Sequence, residues 1–261
     1  MKIVVPVKYV PEPTAAWRFA DDLTLDRDGV EGRLSELDEY AMEQAVRVVE
    51  GGVDAEIVAL TVGPAKATDA LRKALAMGAH SGVHVLDDAM HGSDAMSTSL
   101  VLAAAIRQTG FDVVVTGMAS TDAEMSVVPA MVAERLGAAQ VTFASSLSVD
   151  ASAGTVTIRR DGDTASEQVQ APLPAVVSVT DQTGEPRYPA FKAIMASKKK
   201  PVTTWSLADL GISPSEVGSA AAAAVVTSLA PRPPKQAGVV VVDEGDGATQ
   251  IADFLAERKF I

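Results

Sequence analysis

Residues 117–128, GMASTDAEMSVV, gather the polar groups of this chain that most resemble a ligand-binding loop. Gly117 closes an apolar β-branched run that begins at Phe111. Met118, Ala119, Ser120, Thr121, Asp122, Ala123, Glu124, Met125 and Ser126 follow, and Val127 and Val128 open a helical pattern continued by Met131, Val132 and Leu136. Three hydroxyls and two carboxylates thus lie between a buried strand and a helix start. In an open parallel sheet, ligands bind in the loops that leave the carboxyl ends of the strands. The free N–H groups and dipole of a following helix suit a phosphate. The residues alone leave two readings open, a nucleotide-type ligand site and an ordinary strand-to-helix connection.

Other constellations carry less chemistry. There is no cysteine, which excludes disulfides, thiolate metal sites and cysteine nucleophiles. No P-loop, HExxH or GxSxG pattern occurs. Gly245-Asp246-Gly247-Ala248-Thr249-Gln250 lacks the third glycine of a dinucleotide fingerprint and reads as a loop and helix cap. His80, His84 and His91 do not have the spacing of metal ligands on a helix, and Asp21-Asp22 and Asp87-Asp88 read as solvated loop charge. With 34 acidic against 22 basic residues and a net charge of −12, nucleic acid is not an expected partner. Met1 leads directly into a strand and no apolar run is long enough to span a bilayer, so a cytoplasmic protein is expected.

The elements that must position the loop follow from the apolar pattern. Lys2–Val10, Ala55–Val62, Gly82–Leu86, Phe111–Thr116 and Ala175–Val179 read as strands; Pro6 must fall at a bulge or near a strand end, because it cannot donate to a ladder. Helices are expected over Asp38–Glu50, Ala65–Met77, from Ser93 or Asp94 to Gln108, and after Val127 as far as Gly137. Strands alternating with helices of this length predict an α/β fold, an open, mostly parallel, Rossmann-like sheet flanked by helices. A loop or small hairpin turning at Asp28-Gly29 precedes the first helix. Val141–Ala144, Leu147–Val149, Thr155–Arg160 and Ser166–Gln170, set between Gly/Asp turns, predict a small antiparallel excursion. Residues 1–183 form the expected α/β domain, 184–200 a separate loop and 201–261 an arm, with a strand-like Gly238–Val242 and a last helix near Thr249–Lys259. Within 184–200, Phe191, Ile194 and Met195 beside Lys198, Lys199 and Lys200 make a candidate docking patch, apolar anchors with positive charge for steering.

Glu185-Pro186-Arg187-Tyr188-Pro189 with Ile194-Met195 and Lys198-Lys199-Lys200 resembles a signature of the electron-transfer flavoprotein beta subunits, the FixA-like family. The likeness extends over nearly the whole chain through VPVKYVPEP, DEYAMEQAVR, VGPAKATDALRKALAMGA, TGMASTD and LPAVVSVT, in the family's order. It implies an adenine-nucleotide-binding α/β subunit that carries AMP and pairs with an alpha subunit bearing redox-active FAD. The heterodimer then takes electrons from flavin-dependent dehydrogenases, such as acyl-CoA dehydrogenases of fatty acid oxidation, and passes them to a quinone oxidoreductase. The implied role is that of an electron-carrier subunit with no bond-making chemistry of its own. Carried over by position, the nucleotide site comprises Pro6, Ser35, Glu36, Leu37, Asp38, Val62 and Gly117 to Val128, and the docking anchor is Phe191. Relatives often read Asn-Pro where this chain has Ser35-Glu36, and an acidic run with Asn-Gln-Thr-Gly where it has Asp122 to Pro129. Phosphate contacts must then come from backbone N–H groups and from Ser120, Thr121 or Ser126. A second FAD in place of AMP, as in electron-bifurcating relatives, and a stand-alone nucleotide-binding protein resembling universal stress proteins are the alternatives.

Overall fold

The computed structural model describes residues 1–27, 29–230, 232–235 and 238–261. Asp28 of the expected turn and Pro231, Gln236 and Ala237 of the expected arm lie outside the described residues. In chain order the elements are β1 (Lys2–Pro6), β2 (Tyr9–Pro11), β3 (Gly32–Leu34), α1 (Glu36–Glu50), β4 (Glu56–Val62), α2 (Ala67–Met77), β5 (Ser81–Val85), α3 (Ala95–Thr109) and β6 (Val113–Gly117). They continue with α4 (Val128–Leu136), β7 (Ala139–Ala144), β8 (Ser146–Asp150), β9 (Thr155–Asp161), β10 (Ser166–Pro172), β11 (Ala175–Val179), α5 (Phe191–Ser197), β12 (Val202–Trp205), α6 (Gly218–Ala221) and α7 (Gly247–Glu257).

Seven strands make one sheet in the order β12-β5-β4-β1-β6-β11-β7, and every neighbouring pair in it is parallel. Parallel strands are covered on both faces, which is why β1, β6 and β11 carry unbroken Val/Ile-rich runs rather than alternation. One face packs Ile3, Val5, Ile57 and Val115 against Met42, Leu71 and Leu75 of α1 and α2; the other packs Val4, Leu60 and Val114 against Val101, Ile106 and Val132 of α3 and α4. Pro6 falls where the sheet tolerates it. The β1–β6 ladder pairs Ile3 with Val113 and Val4 with Val114, so it ends before the residue that lacks an N–H.

The antiparallel excursion is real but smaller than expected. β8, β9 and β10 form a separate three-stranded sheet, whereas β7, which contains Val141–Ala144, is a parallel edge strand of the main sheet beside β11. Alternation at the amino end of that region does not distinguish an edge strand, half exposed for lack of a neighbour, from a hairpin strand.

The chain divides into Met1–Thr227 and Ser228–Ile261. The α/β unit therefore reaches past the expected boundary at 183, because β12 extends the sheet beyond β5 and Leu207, Ile212 and Val217 are buried on its α3 side. The loop expected at 184–200 carries α5. In the second unit Val239–Val242 are exposed and form no ladder among the described residues, in place of the strand-like run expected at 238–242, since an apolar β-branched tetrad needs a partner strand to become one. Asp243 accepts the N–H groups of Gly245 and Gly247 and starts α7. Ile251, Phe254, Phe260 and Ile261 are exposed there.

Candidate nucleotide site and docking segment

After β1 the chain continues toward β2 and then α1, β4, α2 and β5 on one side of the sheet, and returns on the other side of β1 as β6. The carboxyl ends of β1 and β6 are thus neighbours whose connections depart in opposite directions. Such a switch point leaves a crevice between the departing loops. Pro6, Ser35 to Asp38 and Gly117 to Val128 all lie at this edge, and Val62 ends β4 on the far side of β1.

The loops are joined by specific bonds. Ser35 is fully buried and sits at the N-cap of α1, but its hydroxyl does not cap that helix. It accepts the Thr121 N–H at 3.3 Å and so ties the loop after β6 to the start of α1. Asp38 accepts the Lys8 N–H at 2.8 Å and also the Gly117 N–H. Burial pushes the Asp38 carboxyl up to about 7, against the pull of those donors and of the Lys8 charge. Gly117 is required by close approach: a Cβ there would come within 2.8 Å of the Leu37 backbone.

Asp122 lies at the centre of the loop's polar contacts. Its Oδ1 accepts from Lys8 Nζ at 2.8 Å and its Oδ2 from Arg27 Nη2 at 2.6 Å, while Lys8 Nζ also reaches Ser120 Oγ at 3.2 Å. Burial would raise the Asp122 pKa; the two cations outweigh it and hold the carboxyl at about 2. Beyond it, Ala123, Glu124 and Met125 are exposed and Ser126 is half-buried. Glu124 (φ 50°) and Ser126 (φ 56°) adopt the left-handed conformation, costly for residues with a side chain. Val127 and Val128 then lead into α4, whose N-terminus has no side-chain cap, so its first N–H groups are left for another acceptor. At the end of β4, Thr61 is wholly buried and its hydroxyl has no hydrogen-bond partner among the described residues. Glu36 is exposed and Leu37, Val62, Met118 and Ala119 are half-buried at the same edge.

Sequence reasoning did not find Lys8 or Arg27. Lys8 follows a strand end and could have been noticed there; Arg27 sits in the 12–31 excursion, far from the loop in sequence, and carries no local signal.

The 184–200 segment is fixed at both ends. Arg187 binds Glu43 of α1 through Nε at 2.7 Å and Nη2 at 3.2 Å, and Glu50 through Nη1 at 2.7 Å and Nη2 at 2.8 Å. Arg47 donates to the Thr183 and Glu185 carbonyls and to Glu43. At the far end Lys200 Nζ donates to the Leu75 and Ala79 carbonyls at 2.8 and 2.5 Å, at the negative end of the α2 dipole, and Arg72 donates to the Ser197 carbonyl. Between these anchors Tyr188 (95%), Phe191 (78%), Ile194 and Met195 are exposed, beside a groove of about 500 Å³ lined in part by Arg72, Lys73 and Ala76. Lys198 and Lys199 are exposed. Lys200 is committed to α2 and is not a free steering charge.

Each of the three histidines has a partner, and His91 Nε2 lies 2.6 Å from Asp22 Oδ2. His80 Nδ1 accepts the Ile57 N–H, and buried His84 lies between Thr68 Oγ1 and the Gly63 carbonyl. Among the described residues no cluster of metal-ligating side chains occurs, and no helix is long and apolar enough to cross a membrane.

A doubly wound parallel sheet with a polar loop and helix start at its switch point defines a Rossmann-like α/β protein. Comparison with known proteins is more specific. A family model described as "Electron transfer flavoprotein domain" matches residues 22–210. The chain is similar to the electron transfer flavoprotein subunit beta of Mycobacterium leprae, at 43% identity over 99% of both chains. It is similar also to those of Mycobacterium tuberculosis, at 42% over 99% of both, and Syntrophomonas wolfei, at 34% over 98% of this chain and 96% of the relative. It belongs to the electron transfer flavoprotein family, as a beta subunit.

Proposed function

We propose that this chain holds one adenine nucleotide, chiefly AMP, at the β1/β6 switch point and serves as the electron-carrier partner of an FAD-bearing alpha subunit in the cytoplasm. The observation that supports the nucleotide is the convergence of Lys8, Ser35–Asp38 and Gly117–Val128 on one sheet edge. The residues fit the group. Uncapped α4 N–H groups and the Ser120, Thr121 and Ser126 hydroxyls provide donors for a phosphate, Lys8 and Arg27 provide positive charge, and the glycine at 117 lets the loop after β6 close against the start of α1. AMP would act structurally, bridging the loops after β1 and β6; the redox chemistry is supplied by FAD on the alpha subunit. The chain's own residues then bind, orient and dock, without bond-making chemistry.

The exposed apolar residues of the 184–200 segment fit the docking of flavin-dependent dehydrogenases, with Phe191 as anchor and Lys198 and Lys199 as steering charges. Delivery to a quinone oxidoreductase completes the proposed route. The exposed apolar run Val239–Val242 and the exposed face of α7 suit an arm that wraps the alpha subunit.

Co-expression with an alpha subunit, heat denaturation and chromatography of the released nucleotides test this reading. One AMP and one FAD per heterodimer are expected. No adenine nucleotide at all would overturn the assignment of the site, and two FAD without AMP would replace it with the electron-bifurcating form. Truncation after Thr227 should leave a folded α/β unit that no longer retains the alpha subunit.

A further inference from the structure

The Lys8–Asp122–Arg27 cluster has an arrangement that the proposed nucleotide does not by itself require. Asp122 is 2% exposed, whereas Lys8 and Arg27 are 38% and 28% exposed. The carboxylate lies beneath two cationic heads, both of its oxygens are used, and the solvent-facing side of the cluster is positive. The three groups sum to one positive charge. The nearby carboxylates lower that further: Asp38, which accepts from Lys8 N–H, and exposed Glu124 on the same loop. Residues 117–128 contain no lysine or arginine.

We propose that Asp122 sets the phosphate selectivity of this site, balancing Lys8 and Arg27 so that a single phosphate group is accepted and di- and triphosphates are rejected. The inference rests on the nucleotide reading given above. A monophosphate finds two cations and the α4 N-terminus. Each further phosphate brings negative charge that these cations, already shared with Asp122, do not compensate, and it is repelled by the buried carboxylate. At separations of several ångströms near a protein surface, one uncompensated charge is worth on the order of tenfold in affinity. The selectivity thus resides in a carboxylate buried beneath the two cations, and sequence position alone does not reveal their meeting.

Two substitutions move the balance in opposite directions. Asp122→Asn raises the cluster from one net positive charge to two while leaving an oxygen for one cation. Arg27→Gln lowers it to zero and leaves the Lys8–Asp122 pair intact. The full-length chain, stripped of nucleotide over charcoal, is equilibrated with equimolar AMP, ADP and ATP in EDTA, and the retained nucleotides are quantified by chromatography. The unsubstituted protein should retain AMP in excess. Asp122→Asn should raise the retained ADP:AMP ratio roughly tenfold, with a steeper loss in salt, and Arg27→Gln should lower it. The same ratio in all three proteins would overturn the role of Asp122 while leaving the nucleotide site standing. Retention of no nucleotide by any of them would overturn both. Should Asp122→Asn fail to fold, the direction of the Arg27→Gln change still decides.

Discussion

Glu43→Gln isolates the charge that holds the 184–200 segment to α1. The Glu43 side chain is 4% exposed and accepts from Arg187 Nε, Arg187 N–H and Arg47 Nε. Burial alone would raise its pKa, but these donors hold it down, from 4.5 to about 2. That interval corresponds to about 3 kcal/mol if fully expressed. Arg187 is one-third exposed and Glu50, its other partner, more than half, so solvent screening reduces the expected loss to about 1–2 kcal/mol. A depressed carboxylate pKa stabilises the folded state above the unfolded value, and this contribution fades as pH falls from about 4.5 toward 2. Urea unfolding should therefore show Glu43→Gln less stable than the unsubstituted protein at pH 7, with the gap narrowing between pH 5 and pH 3. Amide hydrogen exchange in residues 184–190 should accelerate in the variant while β1 and β6 remain protected. A gap that stays constant down to pH 3 would show that packing of the amide, rather than the ion pair, is responsible, and the reasoning would fail.

Phe191→Ala should weaken dehydrogenase docking by about 2–4 kcal/mol with an unchanged melting temperature, since the ring is exposed; surface plasmon resonance and calorimetry separate the two. Lys198→Gln with Lys199→Gln should slow association chiefly at low salt, whereas Lys200→Met should lower the melting temperature by uncapping α2. Gly117→Ala places a methyl within 2.8 Å of the Leu37 backbone, and should cost about 1–3 kcal/mol in urea unfolding and reduce retained nucleotide. The Asp38 carboxyl should titrate by carbon NMR with a midpoint near 7; because that value is raised above 3.8, its ionisation costs stability as pH rises from about 4 to 7. A midpoint below 5 would contradict the burial argument.

The parallel α/β architecture was legible in the amino-acid sequence, and so was the polar loop proposed as the nucleotide site. Unbroken Val/Ile runs at Lys2–Pro6, Val113–Gly117 and Ala175–Val179 have one stable environment, a sheet covered on both faces, and helices of 11 to 15 residues between β1 and β6 help to cover it. The family motifs around Glu185–Pro189 and Gly117–Asp122 were legible as residue types in order. Which charges meet is a matter of the folded arrangement alone. Lys8, Arg27 and Asp122 are separated by up to 114 residues along the chain, and Arg187 by 144 from Glu43, so no local period records their contact. The three lysines at 198–200 show the same limit. They are identical in sequence, yet Lys200 is consumed by the α2 carbonyls while its neighbours face solvent, because one turn of chain at the end of α5 aims it into the open end of a helix. Likewise β12 joined the sheet rather than the arm because β5 offered an unpaired edge, which a sequence pattern of four residues cannot announce.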